Sequence, residues 1–134
     1  MEEELKKIYP LLVILGFLIL LPAAGCNRGN SSPKELLNKY FTSAINEDYG
    51  STYDCYYALY KDKVSEDEYI RHRREASVLK AYKIVFLEQK GDLAHAEVLL
   101  TFAPSKKLDR KEPVSTIVKE DMVREGGQWK IKVW

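Results

Sequence analysis

At Leu79 the apolar repeat of this chain changes from helical spacing, about 3.6 residues, to alternation, and it does not change back. Helices therefore come first and strands after, and that order carries the reading of the fold. It predicts an α+β fold, in which N-terminal helices pack on a four-stranded antiparallel sheet. At 134 residues the chain holds one such domain and little more.

The helical part has clear start signals. Ser32 precedes Pro33 at the first helical position, with Glu35 at capping-box distance. Leu36, Leu37, Tyr40, Phe41, Ala44 and Ile45 then form one apolar face. Residues 46–50 predict a turn, and a second helix runs to about Lys61 with Tyr49, Tyr53, Tyr56 and Tyr60 along one stripe. Such a stripe reads as core whose hydroxyls reach the rim. A third helix starts at Ser65, with Glu68 again at capping-box distance. Glu66, Asp67 and Glu68 lead it and Arg71, Arg73 and Arg74 follow, which complements the helix dipole. The Arg71-His72-Arg73-Arg74 run therefore reads as a solvated helix face, with an anion or phospholipid-headgroup patch as the alternative.

The strands follow as residues 81–88, 93–102, 114–124 and 128–134. Ala94, Ala96, Val98, Leu100 and Phe102 share one face of the second strand. Glu125-Gly126-Gly127 turns the closing hairpin, where Trp129, Ile131 and Val133 point one way and Lys130 and Lys132 the other. Val85, Leu87, Leu93 and Leu99 make the second face of the first two strands apolar as well. The third helix or a second copy of the chain is expected to cover it, hence a homodimer through the sheet.

Before the helices, residues 8–27 carry no charge, residues 11–21 are apolar, and Lys6 and Lys7 stand in front. This is the layout of an export signal. Leu21-Pro22-Ala23-Ala24-Gly25-Cys26 resembles a bacterial lipobox, although Glu2, Glu3 and Glu4 dilute the positive start and Ala23 replaces a larger aliphatic residue. The expected organisation is a lipoprotein signal peptide over 1–25, lipid on Cys26, a tether over 26–32 and the domain over 33–134. An uncleaved membrane anchor, 18 residues from Ile8 to Gly25, and plain secretion are the alternatives. All three put the domain outside the cytoplasm. With lipid on Cys26, Cys55 is the remaining thiol and reads as a small packed hydrophobe; a Cys26–Cys55 bridge is the alternative.

Candidates for chemistry are sparse. Asp54 falls on the polar side of its helix, His95 and Glu97 lie opposite the apolar face of their strand, and His72 sits among arginines. None has the spacing of a metal site or a catalytic pair. Twenty-one basic against 20 acidic residues leave a net charge of +1, which gives no bulk positive surface for nucleic acid.

The lipobox, Ser32-Pro33-Lys34-Glu35-Leu36-Leu37, Asn46-Glu47-Asp48-Tyr49 and Gly126-Gly127-Gln128-Trp129-Lys130-Ile131 together resemble small bacterial lipoproteins of the nuclear transport factor 2-like (cystatin-like) superfamily. The resemblance implies a curved sheet wrapped around helices as a cone with a pocket, often dimerising through the sheet. On that fold Tyr53, Tyr57 and Trp129 are expected at the pocket. The superfamily hosts both enzymes and binding proteins, so the fold alone does not give the function. The expectation is a membrane-held, non-catalytic binding or interaction domain for a small apolar ligand or an envelope protein, without metal or cofactor. The alternatives are an isomerase- or dehydratase-like enzyme and a purely structural envelope protein. An apolar, tyrosine-rich cavity supports binding; a buried acid or histidine in it supports catalysis.

Overall fold

Ser32 stands in extended backbone, and its Oγ accepts from the Glu35 N–H at 3.2 Å while the Glu35 carboxylate reaches back to the Ser31 N–H at 3.0 Å. This cap opens α1 (Pro33–Ile45), which buries Leu36, Leu37, Phe41 and Ala44, the face expected from their spacing. The structure is a computed structural model describing residues 31–134. The expected signal peptide, Cys26 and most of the tether lie outside the described residues. α1 closes with the Glu47 N–H donating to the Ala44 carbonyl at 3.1 Å and the Asp48 N–H to the Ser43 carbonyl at 2.9 Å. That is a Schellman closure, with Glu47 in the left-handed region at φ 57°.

The expected second helix is two short ones, α2 (Tyr49–Asp54) and α3 (Ala58–Lys63). The break has a tertiary cause. Cys55 to Tyr57 leave the helix to dock on the last strand: the Ile131 N–H donates to the Cys55 carbonyl at 2.8 Å and the Tyr57 N–H to the Ile131 carbonyl at 3.0 Å. Tyr56 and Ile131 thus form a parallel bridge that covers a sheet edge. Tyr57 provides no side-chain cap for α3, and the Glu125 carboxylate accepts from the Ala58 N–H instead. α4 (Glu66–Glu75) starts as expected, the Ser65 hydroxyl accepting from the Glu68 N–H.

Four antiparallel strands follow in the order β1-β2-β3-β4: β1 (Leu79–Lys90), β2 (Leu93–Phe102), β3 (Val114–Glu125) and β4 (Gln128–Lys132). β1 is longer and β4 shorter than the alternation suggests. Gly126 and Gly127 both take positive φ in the two-residue turn between β3 and β4, as its tightness requires. The inner face of β2 (Ala94, Ala96, Val98, Leu100) packs with Met122, Trp129 and Ile131 beneath Leu36, Leu37 and Phe41.

One expectation about the outer face changes. The register slips between Ile84 and Phe86, so Val85 is the extra residue of a bulge. Beyond it Leu87 lies opposite Ala96, toward the core, and Phe86 takes the outward place opposite Glu97. Nor does the third helix cover the outer face: α4 joins the inner layer through buried Tyr69. Phe86, Leu93 and Ile117 are left 47%, 54% and 56% exposed.

Candidate functional site

Between the helices and the inner face of the sheet lies a cavity of about 240 Å³. α1 contributes Tyr40, Phe41 and Ala44 to its walls, and α4 contributes Arg73. Leu79, Leu100 and Phe102 form its apolar side, and β3 adds Val118 and Glu120. Three larger hollows, of about 350, 490 and 300 Å³, are bounded mostly by exposed side chains such as Leu93, Lys106 and Phe86. In the first of these His95 Nδ1 and Asp121 satisfy each other at 2.7 Å. Among the described residues three buried side-chain polar atoms lack a hydrogen bond: Arg73 Nε in the wall of the inner cavity, Arg110 Nε on a residue bounding the 490 Å³ hollow, and the Tyr69 hydroxyl, which lines neither.

Glu120 is its acid. It lies opposite fully buried Ala96 on the inner face of β3, in line with Val118 and Met122. It is half-buried and forms no ion pair among the described residues. Burial, and secondarily the charge of neighbouring Asp121, push its carboxyl up to about 7. The sequence reading missed it because Lys119-Glu120-Asp121 looks like a solvated run. The signal was present in the alternation Thr116, Val118, Glu120, Met122, which puts Glu120 on the buried side.

Arg73 also departs from expectation. Arg71, His72 and Arg74 are exposed as a solvated face requires, but Arg73 is half-buried. It sits one turn beyond Tyr69 on α4. Its guanidinium carbon is 5.7 Å from the centroid of the Tyr49 ring, and its Nε is buried without a hydrogen-bond partner.

Tyr40 adds a phenol to the wall, and Tyr56 and Tyr69 neighbour it without lining the cavity. The Tyr40 and Tyr56 hydroxyls are 2.6 Å apart. The Tyr69 hydroxyl lies close to them, fully buried, without closing a hydrogen bond of good geometry. Burial raises all three above the usual phenol range, so they stay protonated; in the Tyr40–Tyr56 pair one hydroxyl donates to the other, which leaves one hydrogen of the two free. The rings interlock, with Tyr56 stacked on Tyr60 at 4.3 Å and edge-on to Tyr69 at 5.4 Å.

Tyr53, Tyr57 and Trp129, expected at a pocket, do not line this cavity. Tyr53 donates its hydroxyl to the Val64 carbonyl at 2.6 Å. Tyr57 donates to the carbonyls of Val133 and Trp134 at the end of the chain. Trp129 is buried on β4 among the core side chains. The two phenols are held on backbone carbonyls, while α1, α4 and strands β1 to β3 line the cavity. Asp54 and His72 are exposed, and His95 and Glu97 lie on the outer side of β2. Cys55 is fully buried, donates to the Ser51 carbonyl at 3.4 Å, and is pushed up to about 11 by burial, which makes it a packed, unreactive thiol. Among the described residues no group of three or more His, Cys, Asp or Glu side chains is placed to hold a metal ion, and no helix is long and apolar enough to cross a membrane.

Helices laid across an open four-stranded antiparallel sheet, with a cavity between them, are the nuclear transport factor 2-like fold. Among solved structures, a nuclear transport factor 2-like protein of unknown function from Pseudomonas putida superposes with a TM-score of 0.52 at 17% identity, over 73% of this chain and 78% of that one. A SEC-C motif containing protein from Rhodopseudomonas palustris gives 0.63 at 16% identity, over 77% of both chains. Another from Psychrobacter arcticus gives 0.62 at 8% identity, over 78% of this chain and 60% of that one. Likeness at this level is one of fold. No protein-family model and no curated protein matches the sequence.

Proposed function

We propose that this chain is a lipid-anchored extracytoplasmic protein whose domain binds a small ligand, without catalysis, in the cavity between α1, α4 and the sheet. The cavity carries the reading: mostly apolar walls with a few convergent polar groups are the usual build of a ligand site. Its volume of about 240 Å³ is below the roughly 300–1,000 Å³ of most ligand pockets, so the ligand is small. The anchor rests on the sequence from Leu21 to Cys26; two acyl chains on Cys26 hold a protein stably where one does not.

Native mass spectrometry of the full-length product, purified from its own cells, tests both parts. The expected result is a mature chain beginning at lipid-modified Cys26, with a small molecule retained in the folded protein. Unmodified Cys26 overturns the anchor, and a cavity occupied only by water overturns the binding site.

Glu120 favours a second reading. A carboxyl near 7 inside a cavity suits general acid–base work of the isomerase or dehydratase kind. If the retained molecule is converted on incubation, and Glu120→Gln stops the conversion without releasing it, the second reading replaces the first.

A further inference from the structure

We propose that the occupant of this cavity is a small monocarboxylic acid, its carboxylate held by Arg73 and the Tyr40 hydroxyl and its hydrocarbon body against Phe41, Leu100 and Phe102. The inference rests on the binding reading above and names the chemistry of the ligand. Its starting point is an imbalance of donors. Arg73 brings a positive charge into the cavity wall with its Nε buried and unpartnered. The Tyr40 hydroxyl lies in the same wall, 2.6 Å from that of Tyr56. Leaving a buried donor unmet is costly.

The acid nearest to hand does not meet the need. Glu120 lines the same cavity, yet the two form no ion pair. Around Glu120 stand Tyr40 from α1, Arg73 from α4, Ala96 from β2 and Asp121 on its own strand. With its carboxyl near 7, Glu120 is about half neutral at that pH and acts there as a further donor. Arginine, the Tyr40 phenol and a protonated carboxyl form a surface of donors. The planar guanidinium fork matches a carboxylate. One cation balances one negative charge, which disfavours a doubly charged phosphate, and Arg73 repels an amine.

Binding a carboxylate beside Glu120 favours its protonated form, so affinity must fall as pH rises through about 7. The test uses the full-length protein in detergent micelles, with empty micelles as the blank. Three probes of one shape and different charge, benzoate, benzamide and benzylamine, are compared by ligand-observed NMR. Benzoate is expected to bind most tightly, about tenfold better at pH 6 than at pH 8. Glu120→Gln should keep the binding and remove the pH dependence. Arg73→Gln should weaken benzoate at least about tenfold and leave benzamide unchanged, with Arg73→Lys between. The comparison of probes on the unaltered protein stands even if an Arg73 variant fails to fold. Amide or amine binding as tightly as the acid overturns the ligand class and leaves the binding site standing. Binding of none of the three overturns both.

Discussion

A carboxyl held half-buried against Ala96 couples folding to pH in the direction opposite to an ion-paired acid. Glu120 titrates near 7 in the folded chain against an ordinary 4.5, so between those values the folded state holds more protons than the unfolded one. Its contribution to stability is fully present below about 4.5, declines as pH rises through 7, and is lost above. Glu120→Gln removes that decline. The variant should match the parent near pH 4 and exceed it at pH 8 by roughly 1–3 kcal/mol, discounted from the full shift because the side chain is only half-buried. Denaturant unfolding of parent and variant at the two pH values checks it; a variant no more stable than the parent at pH 8 contradicts it. The site was poorly legible for the same reason that it is informative. Glu120 and Arg73 each sit within a run of charges, Lys119 to Asp121 and Arg71 to Arg74, and composition by itself assigns such runs to solvent. Only the period, 2 on the strand and 3.6 on the helix, separates the inward member from its neighbours.

Each helix end poses its own local problem, and Glu47 solves one poorly. It occupies the left-handed position of the Schellman closure after α1, at φ 57°, where a Cβ is disfavoured by about 1 kcal/mol. Glu47→Gly should raise stability by about 0.5–1 kcal/mol, the relief offset in part by the greater freedom of glycine when unfolded. Thermal melts of parent and variant measure it, and a lowered midpoint contradicts it. Features set by a few adjacent residues were legible: the caps at Ser32 and Ser65, the turn at Gly126-Gly127, the apolar face of α1. Those set at long range were not. Tyr49, Tyr53, Tyr56 and Tyr60 keep helical spacing right through the break at Cys55 to Tyr57, because the partner that draws the chain out of the helix, Ile131, is more than seventy residues away. The bulge at Val85 likewise leaves no local mark. Alternation read straight through residues 83–87 puts Leu87 outside, and only pairing with β2 shows it inside.

For the whole molecule, the uncovered outer face of the sheet decides how the domain meets its surroundings. Leu99 lies between Lys83 and Ile117, and Phe86 next to Glu97 and Lys119. Apolar side chains mixed with charges of both signs suit a twofold contact, in which Glu97 of one copy faces Lys119 of the other. The expected tether of seven residues, 26–32, reaches about 25 Å. It would confine domains to a thin layer at the membrane and raise their effective concentration, so a modest interface suffices there. The full-length protein in density-matched detergent is therefore expected to sediment as a dimer. Ile117→Glu, which puts like charges next to one another across the twofold at a position 56% exposed, should return it to monomer. Because the side chain is exposed, the melting temperature should barely change, which separates a lost contact from a damaged fold. A parent that is monomeric at tens of micromolar, or an Ile117→Glu chain that remains dimeric, removes the sheet face as the interface.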